Sequence, residues 1–312
     1  MSLTSIMKSG FSRVVTAYIP IPKDKFKSSK DCVACPITKN YALIGTAFDY
    51  LFRSELKRIH TISIEKSFVA ESSIALVKQR IKAEGFFQAK NKKIGEAEFS
   101  AMRSIAKKYK RERTSFIKSG VLTDNFIDAT VRFARMDAVF RAGIYDDIEN
   151  DVDPSDIEDM KALYNLIPEW FKNSHSRIML DPTFGGTSLM VGGADVDLII
   201  DNIIIDIKTT KEMKLNEYFW SQIVGYLILA DKALEIQLID RDKSFSIEID
   251  LPIIESLGLY FSRYGYLWKV EADYVRKNPN YEALKKKFWQ FAKVYAKTPE
   301  DQLYHSLFGI IE

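Results

Sequence analysis

The sequence predicts an α/β fold, a small central mixed sheet flanked by helices, with a large helical insertion and a helical C-terminus. Three stretches predict it. Residues 188–210, SLMVGGADVDLIIDNIIIDIKTT, are rich in β-branched residues and carry a turn signal at Asp201-Asn202. From about residue 70 to 145 the pattern is helical, with almost no Pro or Gly. From Ile253 onward the chain reads as helical and aromatic, through Tyr260, Phe261, Tyr264, Tyr266, Trp268, Trp289 and Phe291. The division that follows is 1–60 as the N-terminal part of a core, 61–180 as a mainly helical basic insertion ending in an acidic loop, and 181–312 as the rest of the core with C-terminal helices.

Taken in order, Val14 to Ile21 reads as a strand and Pro20 to Asp31 as a polar loop. Residues 46–60 place Phe48, Leu51, Phe52, Leu56 and Ile59 at helical spacing, with Gly45 and Thr46 as the start. His60 then stands as a dipole partner at that helix's C-terminus. Residues 217–231 return to helix, and Gln237 to Leu251 alternates like a strand or hairpin around Arg241-Asp242-Lys243. Trp220 has two readings, cleft wall or core. Tyr264, Tyr266 and Trp268 read as packing residues.

The 312 residues are 46% hydrophobic, 28% charged and 12% aromatic, which excludes a disordered or low-complexity chain. No charge-free apolar run reaches the ~18 residues of a membrane span, and no signal peptide stands at the N-terminus, so the expected setting is the cytoplasm. Cys32 and Cys35 form the one C-x-x-C. Without a second pair it reads as a reduced loop pair; half of a shared metal site or a redox role stays open.

The net charge is only +3, but it is unevenly spread. Lys78 to Lys118 holds 13 Lys+Arg and 4 Asp+Glu, a net of +9, which leaves the remaining chain at −6. Asp146 to Asp159, DDIENDVDPSDIED, holds 8 acids and no bases and reads as a solvated acidic loop, a candidate contact for a basic protein partner.

The hairpin carries the chemistry. With Asp201-Asn202 as the two turn residues, cross-strand partners pair Ile200 with Ile203, Leu198 with Ile205 and Val196 with Ile207, an aliphatic core face. The two-residue period then sets Asp197 opposite Asp206 and Asp195 opposite Lys208 on the other face. Facing like charges destabilise a sheet, and a divalent cation is the natural compensation, Mg²⁺ or Mn²⁺ for carboxylate ligands. Such a cation polarises a phosphoryl oxygen and activates a water, and a neighbouring lysine orients that water and stabilises developing negative charge. The bland reading is a solvent-facing hairpin with an ordinary Asp–Lys pair.

At these residues the sequence resembles the PD-(D/E)XK nuclease superfamily, in its RecB-like branch. Asp197 matches the first acidic position, Asp206-Ile207-Lys208 the D/E-x-K tripeptide, and Gln222 with Tyr226 the Q-x-x-x-Y signature on one helical face. The resemblance implies a restriction-endonuclease-like core and Mg²⁺ (or Mn²⁺) held by Asp197, Asp206 and the Ile207 carbonyl. It also implies Lys208 as the water-activating residue, with Gln222 and Tyr226 positioning substrate. The stretch Gly45 to Leu51 resembles the branch's N-terminal helix, with Asp49 where a histidine ligand would stand. Asp49 has a second reading as part of a capping box with Thr46, and Glu71 is a less specific candidate ligand. Some branches hold an iron–sulfur cluster on four cysteines; with only Cys32 and Cys35, none is expected here. The resemblance covers mainly 40–60 and 185–240.

The implied function is metal-dependent phosphodiester hydrolysis in nucleic acid, DNA before RNA and exonuclease-like. The basic stretch supplies candidate phosphate contacts in Lys90, Lys92, Lys93, Arg103, Lys107, Lys108, Lys110, Arg111 and Arg113. Phe86, Phe87, Phe99 and Tyr109 are interleaved as candidate stacking platforms; the alternative is a solvated face over core aromatics. Lys285 to Lys287 reads as a solvated helix face. The competing functions are a nucleic-acid-binding protein that does not cut, and a scaffold subunit.

Overall fold

In a computed structural model the described residues are 2–29, 31–146, 148–239 and 250–294. The architecture is a mixed six-stranded sheet with helices on both faces, in spatial order β1 (Ile64–Glu65), β4 (Ile178–Leu180), β5 (Leu198–Ile200), β6 (Ile203–Lys208), β7 (Ser256–Phe261) and β8 (Tyr266–Glu271). β1/β4 and β6/β7 are parallel, and the other neighbouring pairs are antiparallel. Two residue pairs, β2 (Phe87–Gln88) and β3 (Lys93–Ile94), form a separate small ribbon.

One sheet face is covered by α3 (Tyr41–Ile59), α4 (Val69–Glu84), α5 (Glu96–Ser119), α6 (Asp124–Arg135), α7 (Asp137–Ala142) and α8 (Pro154–Asn165). Their core includes Phe48, Phe52, Phe133, Phe171, Leu198, Ile200, Ile205 and Tyr260. The other face is covered by α1 (Leu3–Ile6), α2 (Ser12–Tyr18), α9 (Gly186–Met190), α10 (Glu217–Ile239), α11 (Asp273–Arg276) and α12 (Tyr281–Lys293). Their core includes Ile199, Ile204, Trp220, Leu227, Leu257 and Phe288. A sheet covered on both faces explains why the hairpin strands read as continuous aliphatic runs. The expectation of one core face on this hairpin is corrected accordingly: Ile199 and Ile204 are buried as fully as Leu198 and Ile205.

The turn and register are as read. Ile200 pairs with Ile203 and Leu198 with Ile205, and Asp201 takes the left-handed backbone that an Asx residue tolerates, at φ 52°. Its carboxylate accepts from Ser176 N (2.7 Å), Ser176 Oγ (2.7 Å) and Arg177 N (3.2 Å), which ties the turn to the strand before it.

Several expectations are corrected. Val14 to Ile21 is not a strand: Leu3, Ile6, Met7, Phe11 and Val15 bury at helical spacing on the α10 side, through a kink at Gly10 (φ 105°) into α2. The helix expected to start at Gly45-Thr46 starts at Tyr41, and Thr46 Oγ1 donates to the Ala42 carbonyl (3.2 Å) from inside it, so it caps nothing. Tyr260, Phe261, Tyr266 and Trp268 lie on β7 and β8, not on helices. An inner strand of aromatic and aliphatic residues has no polar face to mark its period. Among the described residues the C-terminal helices are α11 and α12, and the Lys285–Lys287 run lies on α12, where Lys285 pairs with Glu282 (2.8 Å).

The acidic run is a solvated loop only in its first half, where Asp146, Glu149, Asp151 and Asp153 are exposed. Its second half is α8, capped by Asp153, whose Oδ1 accepts from Ser155 N (2.8 Å). Asp156 is buried and accepts from Thr38 (2.5 Å) and Asn40 (2.8 Å). Asp159 is buried against the Arg263 guanidinium in a two-point ion pair of 2.7 and 2.9 Å. His60 gives its ring Nε2 to a contact with the Phe171 carbonyl (2.8 Å) instead of its own helix. The strand or hairpin expected at Gln237 to Leu251 lies largely outside the described residues; Gln237 to Ile239 close α10.

Candidate active site

The end of the hairpin, beyond the last ladder pair, is where polarity begins. Asp197 precedes β5 and Asp206 lies near the end of β6, on the α10 side of the sheet. Asp197 Oδ2 accepts from the Ile207 backbone N–H (2.6 Å), and its carbonyl accepts from Asp181 N (2.8 Å). Asp206 is 3% exposed. Its carboxylate is in an ion pair with Lys208, two residues on, and its Oδ2 is buried with no other hydrogen bond. Lys208 Nζ also donates to Gln222 Oε1 (2.9 Å) and sits 4.6 Å from the Phe219 ring centre. Gln222 Nε2 in turn donates to Tyr226 Oη (3.0 Å). The four-residue spacing on α10 thus makes one chain, Tyr226–Gln222–Lys208–Asp206, in which the amide fixes the lysine and the phenol fixes the amide.

A cavity of about 350 Å³ opens at this end of the sheet, lined by Gly45, Asp49, Arg53, Asp181, Asp197 and Lys208 among others. The fold therefore brings Asp49, Asp197, Ile207 and Lys208 to one cavity, while Asp206, Gln222 and Tyr226 stand buried behind it. Asp195 does not join them. Its expected partner Lys208 faces Asp206, and Asp195 pairs with Lys66 (2.6 Å), because the chain enters the ladder with β6 only at Leu198 and Asp195, three residues earlier, bridges Thr183. Glu71 is also elsewhere: it caps α4 at Phe68 N (3.2 Å) and pairs with Lys110 (2.7 Å).

Two residues that sequence reasoning missed complete the cavity. Asp181 ends β4 with a left-handed backbone, φ 54°, which is costly outside glycine and concentrates at functional positions. Arg53, one helical turn after Asp49, is 1% exposed, with Nη1 3.7 Å from Asp181 and 3.9 Å from Asp49. Its guanidinium lies 4.2 Å from the Phe68 ring centre, and Nη2 donates to the Lys66 carbonyl (2.5 Å). The one sequence signal for it is the i, i+4 acid–base spacing on an otherwise apolar helix.

The carboxyls oppose each other electrostatically. Burial, then the Asp206 and Asp49 charges, push Asp197 well above the usual carboxylate range. Burial also raises Asp49, against the pull of Arg53. Asp181 is raised to about 7 by burial, with Arg53 lowering it and Asp195 and Asp49 raising it. The Tyr226 phenol is held well above its ordinary value by burial and by Asp206 and Asp197. Such a site is short of positive charge. Asp49 Oδ1 is buried without a hydrogen-bond partner, and oxygens of this kind fit Mg²⁺ or Mn²⁺. Among the described residues no three His, Cys, Asp or Glu side chains already converge as a ligand set.

The expected phosphate contacts are scattered around this site, none of them on the cavity wall. Lys92 pairs with Glu98 (3.5 Å), Lys108 with Asp128 (2.8 Å), Lys110 with Glu71, Arg111 with Glu112 (2.7 Å) and Arg113 with Glu65 (2.5 Å). Lys93 and Arg103 stack on Phe86 and Phe99, and Lys90 and Lys107 are exposed. Phe99 and Tyr109 are core residues, so they offer no face to a base. Trp220 is likewise core, donating to the Ile19 carbonyl (2.9 Å). Cys32 and Cys35 are free thiols, and Cys35 Sγ donates to the Cys32 carbonyl (3.2 Å).

Among the described residues no helix is long and apolar enough to cross a membrane. Comparison with protein-family models, with curated proteins and with solved structures finds no match.

Proposed function

We propose that the chain is a divalent-metal-dependent nuclease of the PD-(D/E)XK kind, hydrolysing phosphodiester bonds in nucleic acid, DNA first, in an exonuclease-like manner. The observation that carries this reading is the linked chain Tyr226–Gln222–Lys208–Asp206 beside Asp197. It joins the D-x-K and Q-x-x-x-Y motifs, 14 residues apart in sequence, into one polar unit in an otherwise aliphatic core.

Asp197 and Asp206 would hold Mg²⁺ or Mn²⁺, with the Ile207 carbonyl and Asp49 as further oxygen ligands. When bound, such an ion supplies Lewis-acid polarisation of the phosphoryl group and a more acidic water. The chain's own residues do the rest. With the ion held, Asp206 would pair with it in place of Lys208, and Gln222, which accepts from Lys208, would keep the ammonium facing the reacting phosphate. Lys208 then orients the attacking water and stabilises the charge that builds on the phosphoryl oxygens. Tyr226, protonated at neutral pH, anchors Gln222.

The test is cleavage of single- and double-stranded DNA in Mg²⁺ by wild type, Asp206→Ala and Lys208→Ala. Loss of cleavage in both variants is expected, by a factor of about 100 or more. Equal cleavage by all three would assign the activity to a contaminant.

A further inference from the structure

A second cavity of about 490 Å³ lies beside the first, and nothing in the catalytic reading uses it. Lys57, Lys66, Lys110 and Arg113 line it, against only two acids, Glu65 and Glu71. Glu65 is shared by Lys57 and Arg113, and Glu71 is held by Lys110. Lys66 is held by Asp195 from outside this wall. One positive charge is therefore left over, where Lys57 and Arg113 share Glu65. Thr114 and Ser67 add hydroxyls to the lining. The wall also contains Tyr109, whose residue is 1% exposed and whose hydroxyl has no hydrogen-bond partner. A buried donor left unmade costs free energy, and an acceptor ligand in this cavity would satisfy it.

The position is as informative as the charge. Arg53 lines the first cavity and Phe68 the second, and the two are in contact, guanidinium over ring. Lys66 gives its carbonyl to Arg53 and its side chain to Asp195, two residues from Asp197. The two cavities are thus neighbours across one wall of side chains.

We propose that the second cavity is a phosphate-binding subsite that takes a phosphate of the nucleic-acid substrate adjoining the one at the carboxylates. Four cations with one charge in surplus, hydroxyls and an orphan phenol O–H match the acceptor oxygens of a phosphate. The source of that phosphate, a nucleic-acid strand, rests on the nuclease reading; the anion chemistry does not.

Thermal unfolding in metal-free buffer tests the chemistry, with 10 mM inorganic phosphate against the same ionic strength of chloride, for wild type, Lys66→Ala and Tyr109→Phe. Tyr109→Phe removes one unpaired hydroxyl and keeps the ring in the core, so its unliganded melting temperature stays at or above that of wild type. The phosphate-induced rise seen in wild type falls by at least half in both variants. Binding of a labelled single-stranded oligonucleotide, without divalent metal, tests the source. Both variants weaken it about fivefold, and Lys66→Ala lowers the salt slope by about one. A loss confined to 5′-phosphorylated strands identifies a terminal phosphate as the occupant, and an equal loss on 5′-hydroxyl strands identifies a backbone phosphate; either supports the subsite. Identical phosphate response and identical oligonucleotide affinity in all three proteins overturn it. Because no step uses metal or cleavage, failure of the nuclease reading would leave the phosphate response intact, and failure of the subsite would leave cleavage by wild type intact.

Discussion

Asp181 is a cavity carboxyl whose burial is set against the stability of the folded chain. Its carboxyl is moved from an ordinary 3.8 to about 7, chiefly by burial. Each tenfold change in proton affinity is worth about 1.4 kcal/mol, so ionising it in the folded protein costs at most about 4 kcal/mol. Between pH ~4 and ~7 the folded state keeps a proton that the unfolded state has lost. Stability therefore falls as pH rises through that window and levels off above it. Asn is nearly isosteric, carries no charge, and is among the residues that accept a φ near 54°. Asp181→Asn should accordingly already be more stable than wild type at pH 5, by about 1.6 kcal/mol, because there the folded carboxyl is neutral while the unfolded one is ionised. At pH 8 it should be more stable by an amount approaching 4 kcal/mol. Urea unfolding followed by far-ultraviolet circular dichroism, in EDTA at pH 5, 6, 7 and 8, measures the difference. A variant equally stabilised at every pH, or less stable than wild type at pH 8, would refute the reasoning. The first result would locate the effect in the backbone, the second in a native contact of the carboxylate.

Three further outcomes are expected. Arg263→Met leaves Asp159 charged and buried, which costs about 3–5 kcal/mol; the double variant with Asp159→Leu should recover most of it in a denaturant titration. Gly265→Ala should destabilise by about 2 kcal/mol or more, because φ is 56° and an added Cβ would stand 2.7 Å from the Leu166 carbonyl oxygen; an unchanged midpoint would contradict this. Gln222→Ala should lower kcat about tenfold with little change in KM, since the amide's contacts run to Lys208 and Tyr226; a pure KM effect would make Gln222 a substrate contact.

What was legible in the sequence is local. The Asp201-Asn202 turn fixed the register of the ladder from Ile200–Ile203 to Leu198–Ile205, which ends one residue short of Asp197 and Asp206 and before the expected Val196–Ile207 pair. The i, i+4 spacing put Gln222 and Tyr226 on one face, and α10 delivers that face to Lys208. What was not legible depends on distant partners. Asp156 and Asp159 looked like members of a solvated run because Thr38 and Arg263, which bury them, lie 118 and 104 residues away. Asp195 looked like the partner of Lys208 until Lys66, 129 residues earlier, took it. Asp181 carries no local mark: its left-handed backbone sits between β4 and the Thr183–Asp195 bridge, and Arg53, which stands against it, lies on another element. β7 was misread because a strand covered on both faces shows no period, whereas β8, at the sheet edge, does alternate, with Lys269 and Glu271 exposed, and its aromatic residues masked that period.

The central claim is that the crowded carboxyls hold a divalent cation. Calorimetric titration of Mn²⁺ at pH 7.5 into wild type and Asp197→Asn tests it without substrate. A saturable binding heat is expected in wild type, and its loss in the variant. No binding by a folded wild type, or equal binding by Asp197→Asn, would contradict it.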